Sequence, residues 1–280
     1  MAELPADARL GAIRLRVGDV ERMTRFYDEA IGLRVLEDRP VVRLGVDGTT
    51  LVELEAAPDA PPRPSHTTGL FHLALLVPAR ADLAHVLRRV VAAGWRLTGA
   101  SDHLVSEALY LRDPEGNGIE LYRDRPREEW PTAGGVLQMD TLPLDLGDLL
   151  SEADDATGDS GMPPGTTLGH VHLQVGDLAA AERFWSDALG FDVTVRGYPG
   201  ALFVAAGGYH HHVGLNTWAG VGALPPPDGA LGLDRFEVVL PGAEAVSDAG
   251  ERLAAAGPVE LVDDGVLAAD PSGNAVLVRA

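Results

Sequence analysis

The chain has 280 residues, 46% of them hydrophobic, with no cysteine, and all 22 of its basic residues are arginine. Disulfide scaffolds, thiolate zinc sites, iron–sulfur clusters and cysteine nucleophiles are therefore excluded, as are Schiff-base enzymes and Walker-type phosphate loops, which need lysine. The 42 acidic residues leave a net charge of −20, which repels nucleic-acid phosphates and anionic headgroups.

The opening segment MAELPADARL carries charge and Pro5 where a signal peptide needs an apolar run, and no stretch approaches about 18 apolar residues. The expectation is a cytoplasmic protein. Leu10 to Val35 then repeats 158 residues later as Leu168 to Val193, with eleven identities in 26 aligned places and no gap. Fainter copies join Leu70–Pro78 to Leu233–Pro241, and Asp113-Pro-Glu-Gly-Asn to Asp270-Pro-Ser-Gly-Asn.

In chain order, each of the four modules opens on alternating apolar residues, such as Val171, Leu173 and Val175, the period of a half-buried strand. A helix follows, capped by Asp19 or Asp177, with Phe26 or Phe184 on its apolar stripe and Gly32 or Gly190 at its end. Short strands come next, at Val41–Leu44, Thr50–Leu54, Leu109–Leu111 and Gly118–Tyr122, and the two Asp-Pro-x-Gly-Asn segments read as hairpin turns. The unit is β-α-β-β-β. An N-terminal domain over 8–124 holds modules one and two (about 8–57 and 68–124), and a C-terminal domain over 167–280 holds modules three and four (about 167–218 and 230–280). Between them, 125–166 reads as an acidic linker containing Pro and Gly, with Leu142 to Leu150 docking as a short helix. The fold class is α+β, four βαβββ modules forming two cup-shaped, barrel-like paired-module domains.

A half-open module must pair with another, so side chains at matching inward positions meet. On the first strands these are Ala12, His72, His170 and Arg235; on the last strands Glu53 and Glu120 correspond, and module four has Leu277. Two histidines and one glutamate, His72, His170 and Glu120, form the ligand set of a non-haem iron site with one face open. For them to assemble, module two must face module three, leaving one to face four.

The His-x4-Val openings, DPEGNGIELY and AGGYHHHVGLNTW resemble the vicinal oxygen chelate superfamily of glyoxalases, bleomycin-resistance proteins and extradiol dioxygenases. Within it the chain is most similar to the four-module catechol 2,3-dioxygenase-like enzymes, over about residues 8–280. That resemblance implies an extradiol ring-cleaving dioxygenase using Fe(II), with Mn(II) as the alternative, acting on an aromatic diol with O2. It further implies Tyr110, ten residues before Glu120, as a hydrogen-bond donor to the substrate oxygen, and His211, three before Gly214, as the acid–base residue. His103, His172, His212, Asn216 and Trp218 are pocket candidates, and strand alternation points His210 and His212 away from His211. No nucleic acid or membrane partner is expected, and homo-oligomer formation is left open. Two other readings remain: a glyoxalase-like metal-dependent isomerase or lyase, and a non-catalytic small-molecule binding or resistance protein.

Overall fold

A computed structural model of the chain describes residues 3–153 and 161–280; residues 154–160 of the linker lie outside the described residues. Each module carries one strand, a helix and three more strands, as the repeat predicts. Module two, for example, runs Gly69–Leu76, helix Arg80–Ala92, Gly99–Asp102, Ser106–Arg112 and Gly118–Asp124. The fold is α+β with repeated modules.

The chain divides into two compact units, each discontinuous in sequence. The first comprises Met1–Arg16, Asp59–Phe71 and Gly169–Ala280. Here the opening strand of module one, Arg9–Val17, pairs antiparallel with that of module four, Gly232–Val239, with Arg14 opposite Arg235. Gly232–Val239 also runs parallel to Ala275–Arg279. Module three places Thr167–Gln174 parallel to Val213–Asn216, which pairs antiparallel with Ala201–Ala205. The second unit comprises Val17–Pro58 and His72–Leu168. It holds the Arg34–Glu37, Val42–Val46 and Thr49–Ala56 meander, and a second sheet in which Gly69–Leu76 runs parallel to Gly118–Asp124.

Asp19 and Asp177 cap their helices as expected, accepting from the backbone N–H of Arg22 at 2.9 Å and Ala180 at 2.6 Å. Past the first turn both helices widen into π turns, at Phe26–Ile31 and Arg183–Ala188, a feature the apolar spacing does not announce. The widened turn changes the helical phase. Module one buries Phe26 and Tyr27 alike, as expected of Phe26, whereas module three buries Trp185 fully and leaves Phe184 half-buried, against the expectation that Phe184 lies on the buried stripe. Gly32 closes the first helix at φ 94°, where a side chain would be strained, and its N–H donates to Tyr27 O at 3.0 Å.

These inward aromatics tie consecutive modules together. Tyr27 Oη donates to Asp113 Oδ2 at 3.3 Å in one unit, and Trp185 Nε1 donates to Asp270 Oδ2 at 3.2 Å in the other. Each aspartate opens its Asp-Pro-x-Gly-Asn turn and also accepts from backbone N–H groups inside it, at Glu115 and Asn117 or at Ser272 and Asn274. Burial pushes the Asp113 carboxyl up to about 6, against the pull of those hydrogen bonds, and pushes Asp270 upward as well. Where a helix is expected over Leu142–Leu150, Leu142–Pro143 instead adds a short strand to Gly99–Asp102, and the helix spans Leu146–Ser151, capped by Asp145.

Candidate functional site

In the second unit, strand register brings the first pair of candidates together. His72 stands opposite Gly118 in the parallel ladder, and Glu120, two residues on, shares Gly118's face. His72 Nε2 consequently lies 3.0 Å from Glu120 Oε2, with both side chains buried. Two donors held by one divalent ion at right angles, each about 2.1 Å from it, are separated by about 3 Å, so this pair fits a shared metal. A neutral nitrogen and a carboxylate oxygen are the donors that iron, manganese or zinc accepts. Tyr110 is the cross-strand partner of Glu120, and its ring centroid lies 5.8 Å from that of His72. Its hydroxyl is 2.7 Å from His103 Nε2.

In the first unit, His170, His172, His210 and His211 are all buried. The His170 and His211 rings are 4.2 Å apart, and His211 Nδ1 lies 2.8 Å from His210 Nδ1, so a single N–H sits between those two rings. His210 thus stands beside His211, contrary to the expectation from alternation. The reason is local: the regular strand begins only at Val213, and residues 210–212 precede it, where period two does not apply. His212 does turn elsewhere; its ring is 6.0 Å from Phe191 and 4.9 Å from Tyr209, and its Nδ1 accepts from Ala206 N–H at 3.2 Å.

His172 packs among Phe71, Phe203 and Trp218, with ring centroids 5.3, 5.7 and 5.3 Å away. Its ring covers Gly214: a Cβ there would stand 2.9 Å from His172 Cγ, so only glycine fits. This gives the small residue three places after His211 a physical cause. Trp218 is 46% exposed and donates from Nε1 to Pro199 O at 3.1 Å, which is a rim position and no core position. Asn216 is fully buried and its Oδ1 accepts from Trp218 N–H at 2.9 Å, closing the turn that carries the indole. Phe71 and Phe203, the latter 4.9 Å from His211, escaped the sequence reading, because an apolar residue on a strand is indistinguishable from core until register is known.

Register also identifies what stands at the place of Glu120 in module three. In module two Glu120 faces Ala74, two residues after His72; in module three the residue facing His172, two after His170, is Gly214. The chain thus combines repeated βαβββ modules with a buried His–carboxylate pair whose donor atoms could share a divalent ion. The chain belongs to the Glyoxalase/Bleomycin resistance protein/Dioxygenase superfamily, matched over residues 9–121 and 167–278. A catechol-2,3-dioxygenase of Bacillus subtilis (strain 168) is 43% identical over 285 residues, covering 99% of each chain. Biphenyl-2,3-diol 1,2-dioxygenase 3 of Rhodococcus globerulus is 31% identical over 120 residues, 41% of this chain and 63% of that one. Glyoxalase I from Zea mays, 17% identical, superposes with a TM-score of 0.61 over 98% of this chain and 92% of its own, a likeness of fold.

Proposed function

We propose that the chain is a non-haem Fe(II)-dependent extradiol dioxygenase that opens a catechol-type ring beside its diol, with His72, Glu120 and His170 as metal ligands. The carrying observation is the donor pair within one unit: His72 Nε2 and Glu120 Oε2, both buried, lie 3.0 Å apart, as two ligands of one divalent ion would, and His170 is the proposed third ligand because it holds the matching first-strand place in module three. Identity of 43% with a catechol-2,3-dioxygenase across the whole length supports the reaction class. Iron bound there would supply Lewis acidity to a chelating diol and hold O2 beside it.

The chain's own residues would do the rest. With the shared proton on His211 Nδ1, directed at His210, its Nε2 is bare and takes the proton of a diol hydroxyl, later returning it. Tyr110 stands beside His72 to meet a diol oxygen, and Phe203, set edge-on to the His211 ring, excludes water from the exchange.

Glyoxalase-like chemistry is disfavoured by one residue. A site of that kind calls on a second carboxylate, and module three places Gly214, covered by the His172 ring, where module two has Glu120. Metal analysis tests the ligand set: the wild type should hold one Fe(II) or Mn(II) per chain, and His72→Ala and His170→Ala should each lose tight binding. Full stoichiometry with normal affinity in either variant overturns it.

A further inference from the structure

We propose that the first unit holds a second ligand site, a cavity at turn 270–274 that binds a small carboxylic acid carrying a hydroxyl beside its carboxylate. A ring-opened diol, the product of the reaction proposed above, belongs to that class. Naming the product as a ligand rests on the dioxygenase reading, whereas the site and its chemistry stand without it.

The internal repeat exposes the site by comparison. In module two the turn Asp113-Pro-Glu-Gly-Asn carries Glu115, whose carboxylate accepts from the N–H groups of Gly18 and Asp19 at 2.9 and 2.8 Å. The later turn has Ser272 in that place, and its Oγ accepts from the N–H of Gly176, the repeat of Gly18, at 3.0 Å. Serine keeps a hydrogen bond and lacks the charge. Beside it lies a cavity of about 210 Å³, bounded by Arg16, Arg63, the 225–231 loop and residues 272–274. All of these belong to the first unit. The volume is below the about 300–1,000 Å³ of drug-sized sites, so it suits a small metabolite.

Three lining groups define what fits. Ser272 is 7% exposed; its oxygen accepts from Gly176, and its O–H proton has no acceptor among the described residues. Asn274, 2% exposed, spends its amide N–H groups on Asp270 Oδ2 at 3.0 Å and Gln174 O at 3.4 Å, which fixes its orientation and leaves Oδ1 buried without a partner. Arg63 donates to Leu70 O at 2.8 Å and Gln174 Oε1 at 3.3 Å, which holds its guanidinium at the wall. A carboxylate would take the Ser272 proton and the Arg63 charge, and a hydroxyl beside it would donate to Asn274 Oδ1. Unsatisfied buried polar groups are rare in folded proteins, and a ligand of this class satisfies two at once. The charges of Arg16 and Asp234 pair with each other, and Asp228 is exposed at the rim, where water screens it. The walls are fixed: Thr68 Oγ1 donates to Ser272 O at 2.6 Å, Thr68 N–H to Leu224 O at 3.0 Å, and Leu231 N–H to Pro61 O at 2.9 Å. Gln174 stands four strand residues beyond His170, about 13 Å along the chain, so the cavity is separate from that ring.

Titration calorimetry of the full-length, metal-free protein with malate tests the site, metal being left out because hydroxy acids chelate it. The expected result is one malate per chain with a Kd of about 1 mM or tighter. Succinate, which lacks the hydroxyl, should bind about three- to tenfold more weakly, the scale of one hydrogen bond. Arg63→Gln should weaken malate about tenfold or more. Ser272→Glu supplies its own carboxylate, as Glu115 does in module two, and should abolish binding without lowering the melting temperature. If that variant melts early, Ser272→Ala takes its place, with an expected loss of about three- to tenfold. No heat of binding at about 10 mM malate, or equal binding by wild type and the folded variants, overturns the proposal. The ring-opened product of catechol should compete with malate, and failure to compete overturns its place as a ligand. Malate binding as expected in a protein that leaves catechol intact would strike the dioxygenase reading and leave the cavity standing; ring cleavage without malate binding would do the reverse.

Discussion

At the scale of single residues, three neighbouring histidines have separate surroundings and should have separate consequences. His211 lies against His170 and shares a proton with His210, whereas His212 faces Phe191 and Tyr209. General acid–base assistance is typically worth about 10²- to 10⁴-fold, so His211→Phe should lower kcat by that order while catechol binding changes far less. His212→Phe should cost less activity; if it abolishes turnover while His211→Phe does not, the proton carrier has been assigned one residue early. Gly214 admits a second test. A methyl group there meets the His172 ring, so Gly214→Ala should lower stability by about 1–3 kcal/mol in denaturant unfolding and alter the fluorescence of Trp218, which packs on that ring. An unchanged midpoint and spectrum would show that His172 is not held over Gly214.

The secondary elements are where sequence reading and structure part most instructively. Caps and turns were legible because their chemistry is local: Asp19, Asp177, Gly32 and the two Asp-Pro-x-Gly-Asn turns need only near neighbours in the chain. The π turns were not, since a widened turn leaves no compositional mark; with the same turn in both modules, Phe26 is buried as expected while Phe184 yields the buried place to Trp185. The linker strand Leu142–Pro143 was hidden for another reason, two residues being too few to show any period. The Asp113 turn predicts a pH dependence. Its carboxyl titrates near 6 when folded and near 4 when unfolded, so between those values the folded state keeps a proton that the unfolded state has lost. Stability from this group therefore falls as pH rises through that window, by up to about 1.4 kcal/mol per pH unit. Asp113→Asn, which cannot ionise and loses the acceptor for Tyr27, should be less stable than wild type by a margin that is larger at pH 5 than at pH 7. Thermal melts at the two values check it, and a margin that widens toward pH 7 would contradict the raised carboxyl.

For the whole molecule, the repeat was the most informative feature of the sequence, because it turned nine scattered histidines into positions that can be compared. Matching positions identified His72, His170 and Glu120 and left Ala12 and Arg235 in modules one and four, whose opening strands pair with each other. Orientation within residues 210–212 and the rings of Phe71 and Phe203 required coordinates, since they depend on register between distant strands. Among the described residues no helix is long and apolar enough to cross a membrane. The central claim is that this scaffold uses a two-histidine, one-carboxylate metal to open a diol ring with O2. Anaerobic loading with Fe(II), addition of catechol and then ¹⁸O2, and mass spectrometry of the product test it most directly. The account predicts one iron per chain and a yellow ring-opened product carrying both oxygen-18 atoms; iron-loaded protein that binds catechol and leaves the ring intact would contradict it.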